Sequence, residues 1–380
     1  MFIFCLATVI STFIYLCLIA YYIYYWNRIN PPLIPTSAEL PMVTILIAAR
    51  NEEDSILACI QSCLNQNYPS NKLEVIVVDD QSEDDTYDLL ESFEDPRFVH
   101  MRLGVYKRTT IKGSKKKAIA YGVNHAKGEL IFTTDADCLV APDWIQSMIP
   151  FFNDPKVKLV SGPVKITNRS SLIARFQTLD FSANGLVNAA GIKSGLHYLC
   201  SGANLAYRKQ VFLEHNVYED NYHIASGDDI FLLEKIKSVY PDGIVFSKLA
   251  NSIVETQAVS NWTDLIKQRL RWAGKMRHIT DWNLKWIPAL IWIQRILLLS
   301  FLVVAISLGS VNYILASITA IMLQLLLDFL LQYDACRFYK ISKWQIWFIV
   351  LEPLHTIYFI LLGIASWLPV SIEWKGRSNP

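Results

Sequence analysis

The apolar run Leu130 to Thr134 ends in Asp135-Ala136-Asp137-Cys138, and positions i and i+2 of an extended segment share one face. Two carboxylates so placed can hold a hard divalent cation, Mg2+ or Mn2+, which keeps several waters and takes its remaining ligands from a diphosphate. Such an ion acts as a Lewis acid on a departing phosphate. Asp is also common in a capped turn, here before the helix expected at Pro142, so the pair taken alone reads either way.

Further stretches carry similar chemistry. Val77-Val78 ends an apolar run and is followed by Asp79, Asp80, Gln81, Ser82, Glu83, Asp84 and Asp85. Ligands of open α/β sheets bind at the carboxyl ends of strands, so an Asp there can accept hydrogen bonds from a base or ribose, while Asp84 or Asp85 suits the cap of the next helix. The first strand ends likewise in Ala48-Ala49-Arg50-Asn51-Glu52, a loop able to grip a nucleotide through its backbone and Glu52. Gly113-Ser114-Lys115-Lys116-Lys117 opens a helix whose N–H groups, dipole and ammonium charges suit a diphosphate. A solvated basic patch is the plainer reading of the same residues.

Ser226-Gly227-Asp228-Asp229 sets two carboxylates at a helix start, where one can remove a proton from a hydroxyl or both can serve the cap. In Gln268-Arg269-Leu270-Arg271-Trp272, offsets of three and four put Gln268, Arg271 and Trp272 on one helix face. Arg271 offers a planar fork to a phosphate and Trp272 a ring on which a sugar can stack. The rival reading gives both to lipid headgroups.

The spacing of apolar residues predicts the elements that position these groups. Strands are expected over 43–48, 73–78, 97–103 and 130–134, alternating with helices from Asp54, over 84–93 and over 115–126. That rhythm gives an α/β domain with a mostly parallel sheet covered by helices. Beyond Trp144 it loosens into longer helices and loops, and it ends near Gln257. Cys59 and Cys63, one helical turn apart, read as core of the first of these helices, and the seven cysteines show no zinc spacing.

Hydrophobic residues make up 52% of the chain and charged residues 18%, with the apolar content gathered at the two ends. Residues 1–26 form a membrane anchor, too long and too aromatic at its end for a cleaved signal peptide. Arg28 after the span and no basic residue before it put the middle of the chain in the cytoplasm. Residues 27–41, with Pro31, Pro32 and Pro35, are a stiff linker, and 42–257 form the cytosolic domain. Residues 258–286 read as an amphipathic interfacial helix region, and 287–380 as a membrane region and tail with about three spans. Glu352-Pro353 and His355 mark the last span as re-entrant or broken. A net charge of +1 gives no reason to expect nucleic acid.

In this order, with apolar helices behind the last, the five motifs closely resemble those of membrane-bound family 2 glycosyltransferases, the group of the cellulose, chitin and hyaluronan synthases and ceramide glucosyltransferase. The resemblance covers about Val43 to Trp272 and the membrane layout. It implies a GT-A-type fold, a nucleotide-sugar donor, Mg2+ or Mn2+, and one inverting displacement onto an acceptor at the plasma or inner membrane. It assigns Asp80 to the nucleotide, with Ala48, Arg50 and Glu52 beside it and Lys116 toward the diphosphate. Asp135 and Asp137 match the metal-holding Asp-x-Asp pair, and Asp229 the base, with Asp228 in place of the motif's Glu. Gln268, Arg271 and Trp272 match the motif that meets diphosphate and acceptor, and Gly202 lies in a stretch, Cys200 to Asn204, resembling the small-residue loop near the acceptor. With about four spans, too few to enclose a polymer channel, a lipid acceptor is favoured over a growing β-linked glycan.

Overall fold

A computed structural model describes residues 2–32, 39–104, 114–167, 171–218, 222, 227–275, 279–366, 373–374 and 377–378. Pro35, Gly113, Ser226, Arg277, Lys375 and Gly376 lie outside the described residues. The chain divides into two compact units. One comprises Asn30–Asn168, Tyr198–Gln257 and Ser371–Pro380, the other Met1–Ile29, Arg169–His197 and Ala258–Val370.

The first unit is built on a seven-stranded sheet. Its mainly apolar strands β1 (Val43–Ala49) and β2 (Leu73–Asp79) are buried along almost their whole length, as strands covered on both faces must be. With β3 (Phe98–Arg102) and β4 (Leu130–Asp135) they form a parallel half in the order β3-β2-β1-β4. Helices α2 (Ile56–Leu64), α3 (Thr86–Glu91) and α4 (Lys115–His125) link these strands, and Cys59 and Cys63 lie fully buried in α2.

Past a short β5 (Cys138–Val140) and α5 (Trp144–Met148), the sheet turns mixed. β8 (Leu205–Arg208) runs antiparallel to β4 and to β6 (Leu159–Ser161), and β9 (Ile244–Phe246) closes the edge. A second sheet joins β5, β10 (Val254–Gln257) and β7 (Val164–Thr167). Helices α7 (Lys209–Glu214) and α8 (Asp228–Val239) complete the unit, with a terminal pair β11 (Glu373–Trp374) and β12 (Arg377–Ser378). In register, Ala48 stands opposite Val78 on one side and Asp135 on the other, and Ala49 opposite Asp79. Three strands therefore end at one level, and the loops after them start side by side.

The helix expected over 84–93 is shorter. Asp84 is spent on the turn that starts it: its Oδ1 accepts from the Thr86 N–H at 3.1 Å and from the Thr86 hydroxyl at 2.6 Å.

The second unit contains α1 (Phe2–Trp26), α6 (Leu172–Ser194), α9 (Trp262–Lys275), α10 (Asn283–Ser307), α11 (Val311–Phe338) and α12 (Trp344–Ala365). Among the described residues, four stretches, Ile3–Trp26, Asn283–Ser307, Val311–Phe338 and Trp344–Ala365, are long and apolar enough to cross a membrane. Three features stand beside the sequence expectations here. Residues 169–197 group with the apolar helices rather than with the seven-stranded sheet. Polar side chains bring α6 there: Gln332 of α11 donates to Ser182 Oγ at 2.8 Å. The amphipathic region is two helices, because Asp281 accepts from the Asn283 N–H at 3.0 Å and starts α10 afresh. The last span is one helix with Pro353 inside it, since its costly groups have partners: Arg295 Nη1 meets Glu352 Oε1 at 3.2 Å, and His355 Nε2 meets Asp180 Oδ1 at 3.3 Å.

Candidate active site

Asp135 is the last residue of β4 and half-buried, while Asp137 stands exposed in the turn beyond it. Their carboxylates and the Cys138 thiol lie within 4.8 Å of one another. Burial pushes the Cys138 thiol well above its usual range, and Asp135 and Asp137 add to the effect. A thiol is also a soft ligand, poorly matched to a hard divalent ion. What remains is two carboxylate oxygens open on one side, a donor set that fits a hard divalent ion keeping several other ligands.

Asp228 and Asp229 are the first residues of α8. Gly227, which precedes them, has φ +92°, a left-handed conformation that glycine adopts without strain. Asp229 is aimed by two backbone donors: the Ile230 N–H reaches Oδ1 at 2.9 Å and the Gly202 N–H reaches Oδ2 at 3.3 Å. Gly202 must be small. A Cβ there would stand 3.0 Å from Asp228 Oδ2 and 3.2 Å from Lys115 Nζ. Its loop is braced below by Asn204, fully buried, which takes the Trp144 indole N–H at 2.9 Å and donates to the Pro163 and Ser252 carbonyls at 2.8 and 2.7 Å.

Lys115 joins the two acid pairs. Its Nζ lies 2.5 Å from Asp135 Oδ1 and 3.1 Å from Asp228 Oδ2. Burial opposes its charge, but Asp135 and Asp228 outweigh that and hold the ammonium well above the ordinary lysine range. Sequence reasoning chose Lys116 from the same tract. The structure turns Lys116 inward, fully buried, with its ammonium 4.2 Å from the centre of the Phe231 ring. The deciding signal was the Ser114 cap, whose Oγ accepts from the Lys117 N–H and so fixes how the first turn of α4 is rotated.

At the ends of β1 and β2 the loops brace each other. Arg50, buried, donates to the Asp80 carbonyl at 2.9 Å and pairs with Glu83 at 2.8 Å. The Asp80 N–H returns a bond to the Ala49 carbonyl at 2.8 Å, and the Glu52 N–H donates to Thr86 Oγ1 at 2.7 Å. Asp79, fully buried, accepts from the Ser82 N–H and pairs with Arg102 at 3.2 Å. Asp79 thus shapes the turn, and Asp80 follows it. Gln268, Arg271 and Trp272 are half-buried residues of α9, in the other unit.

A pair of carboxylates at a strand end, an aimed carboxylate at a helix start and a mixed, mostly parallel sheet place the unit in the GT-A-like class of folds. Family comparison agrees with that class. A family model described as "Glycosyl transferase family 2" matches residues 44–215, and one described as "Glycosyl transferase family group 2" matches residues 130–368. The chain belongs to glycosyl transferase family group 2.

Among curated relatives, it is 26% identical to the probable glycosyltransferase YdaM of Bacillus subtilis over 63% of this chain and 56% of that protein. It is 27% identical to the hyaluronan synthase of Streptococcus pyogenes over 45% of this chain and 41% of that one. To the poly-beta-1,6-N-acetyl-D-glucosamine synthase of Staphylococcus aureus it is 28% identical over 46% and 42%. The chain thus spans about half the length of the curated relatives it matches. Among solved structures, the mannosyltransferase PcManGT from Pyrobaculum calidifontis, in complex with GDP-Man and Mn2+, matches 96% of this chain and 97% of its own with a TM-score of 0.61 at 18% identity. At that identity the likeness shows the fold.

Proposed function

We propose that this glycosyltransferase moves a sugar from a nucleotide-sugar donor, with inversion, onto an acceptor presented at a membrane. The reading is carried by the convergence of Asp135, Asp228, Asp229 and Gly202 around Lys115. Ala48, Arg50, Glu52 and Asp80 frame the nucleotide, and Asp135 and Asp137 hold Mg2+ or Mn2+. Once bound, that ion supplies Lewis-acid neutralisation of the diphosphate. Asp229 takes the proton of the acceptor hydroxyl, and its two backbone donors keep the carboxylate in one orientation while it does so. Asp228, with Lys115, sets the charge beside it. Direct attack needs no carboxylate nucleophile, so an α-linked donor gives a β-linked product. Gln268, Arg271 and Trp272 are assigned to diphosphate and acceptor through the family motif.

Four apolar helices support a membrane-delivered acceptor, with the catalytic unit on the cytosolic side as Arg28 suggests. A lipid is the favoured acceptor in that reading. A second reading, processive synthesis of a β-linked glycan, is favoured by the two polymer synthases among the relatives.

Membranes carrying the protein, incubated with Mn2+ and radiolabelled UDP-glucose, UDP-N-acetylglucosamine, UDP-glucuronate or GDP-mannose, test both readings. Label extracted into organic solvent identifies a lipid acceptor, and label in insoluble or high-mass polymer identifies the synthase. No label moved from any donor, with chelator-insensitive hydrolysis, would remove the metal-dependent transferase.

A further inference from the structure

Helix α9 carries the Gln-x-x-Arg-Trp motif, yet little holds it. At 14 residues it is near the length below which an isolated helix is marginal in water. Among its described side chains only Leu265 and Arg269 are buried. They stand at i and i+4, with Trp272 at i+7, so one narrow stripe sets the rotation of the helix. A charged residue in that stripe is costly unless it is paired.

Its partner comes from α6. Arg269 Nη2 lies 2.5 Å from Asp180 Oδ2, with both side chains about nine-tenths buried. The other Asp180 oxygen takes the Asn184 amide at 3.0 Å and His355 Nε2 at 3.3 Å. Burial alone would push the Asp180 carboxyl up, but Arg269, His355 and Asn184 together outweigh it and hold the group below the usual carboxylate range. The guanidinium is also packed between two rings, 5.1 Å from the centre of Phe181 and 4.6 Å from that of Trp272. Those two rings meet edge to face at 5.8 Å. One turn earlier on α6, Gln177 clamps the chain entering α9, accepting from the Val259 N–H at 3.0 Å and donating to its carbonyl at 2.9 Å. Phe176 packs on Trp262 at 5.3 Å.

We propose that Asp180 is a positioning residue for the transfer reaction: by holding Arg269, the one charged residue buried among the described side chains of α9, it fixes the rotation of that helix and so the directions of Gln268, Arg271 and Trp272. Arg269, which the motif itself does not specify, is the handle through which it acts. This rests on the reading that those three residues serve the transfer.

The full chain in nanodiscs, grown with 5-fluorotryptophan and assayed with whichever of the four donors it uses, tests the idea through Asp180→Asn, Arg269→Gln and the double variant. The Trp272 fluorine resonance is assigned by its loss in Trp272→Phe. Each single variant leaves one buried charge without its counter-charge, whereas the double variant leaves two amides able to bond each other. Each single variant should lower kcat by on the order of 100-fold, with donor KM little changed, because small misplacements of binding groups cost about that much. Each should also shift or broaden the Trp272 resonance, and the double variant should recover most of both losses.

A wild-type kcat and an unmoved resonance in Asp180→Asn would overturn the proposal. So would a double variant no better than Arg269→Gln, which would make Arg269 a direct ligand. Arg271→Ala checks the underlying reading separately: wild-type kcat there removes the motif from the reaction, and the fluorine resonance alone then judges whether Asp180 sets the helix.

Discussion

Lys115 and Arg295 are each shared by carboxylates, one in either unit, and the two clusters differ in where their members come from. Around Lys115 the acids sit at a strand end and a helix start, Asp135 half-buried and Asp137 beside it exposed. Around Arg295 they come from the middles of long helices: Asp328 at 3.0 Å and Glu352 at 3.2 Å, with Thr356 and Tyr15 also bonded to the guanidinium. All four of these apolar helices meet in that one cluster. The same residue types thus perform two tasks. Carboxylates at the ends of elements keep a side open to a ligand, whereas carboxylates between helices are consumed by cohesion.

The comparison can be broken experimentally. Asp229→Asn should reduce transfer by about 10² to 10⁴-fold, the usual worth of a general base, while leaving thermal unfolding and donor binding near wild type. A loss of stability instead would place this cluster with the other. Arg295→Met should do the reverse. Breaking a buried pair typically costs about 3–5 kcal/mol, so unfolding in detergent should shift strongly downward while turnover per folded molecule persists.

Asn204→Leu sharpens the boundary between support and chemistry. It strands the Trp144 N–H and two carbonyls, so a stability loss of about 1–3 kcal/mol is expected. Activity per folded molecule should fall as well, because the Gly202 loop rests on it. The smallest effect is expected at Asp84, whose carboxyl is held below its ordinary value: burial pushes it up, but the Thr86 hydroxyl and N–H outweigh that. Its contribution is present above the unfolded carboxyl's titration and is lost as pH falls through the lower folded one. Asp84→Ala should therefore cost about 0.5–1 kcal/mol near neutral pH, and the gap to wild type should narrow in acid unfolding curves.

Much of this was legible in the residues. Short, mainly apolar runs such as Val43 to Ala49, rich in β-branched residues and bounded by turn residues, read as strands buried on both faces, so the parallel half of the sheet and the carboxylates at its ends followed from local pattern. The apolar helices followed from length and composition. Lys115 was missed because which of three adjacent lysines faces the acids depends on the rotation set by one serine cap. The grouping of α6 with the apolar helices was missed because its buried face is partly polar, with Gln177, Thr178, Asp180 and Ser182, and polar burial leaves no hydropathy signal. His355 and Glu352 looked like breaks in a span because their partners, Asp180 and Arg295, lie 175 and 57 residues away along the chain.

The sequence by itself determined the class of element at each motif and the order in which the reactive side chains come, since periodicity, caps and composition act within a few residues. Only the tertiary structure decided which charges meet. Coulomb attraction and hydrogen bonding act between neighbours in space, and pairs such as Asp135 with Lys115 or Asp180 with Arg269 become neighbours only when separate elements pack.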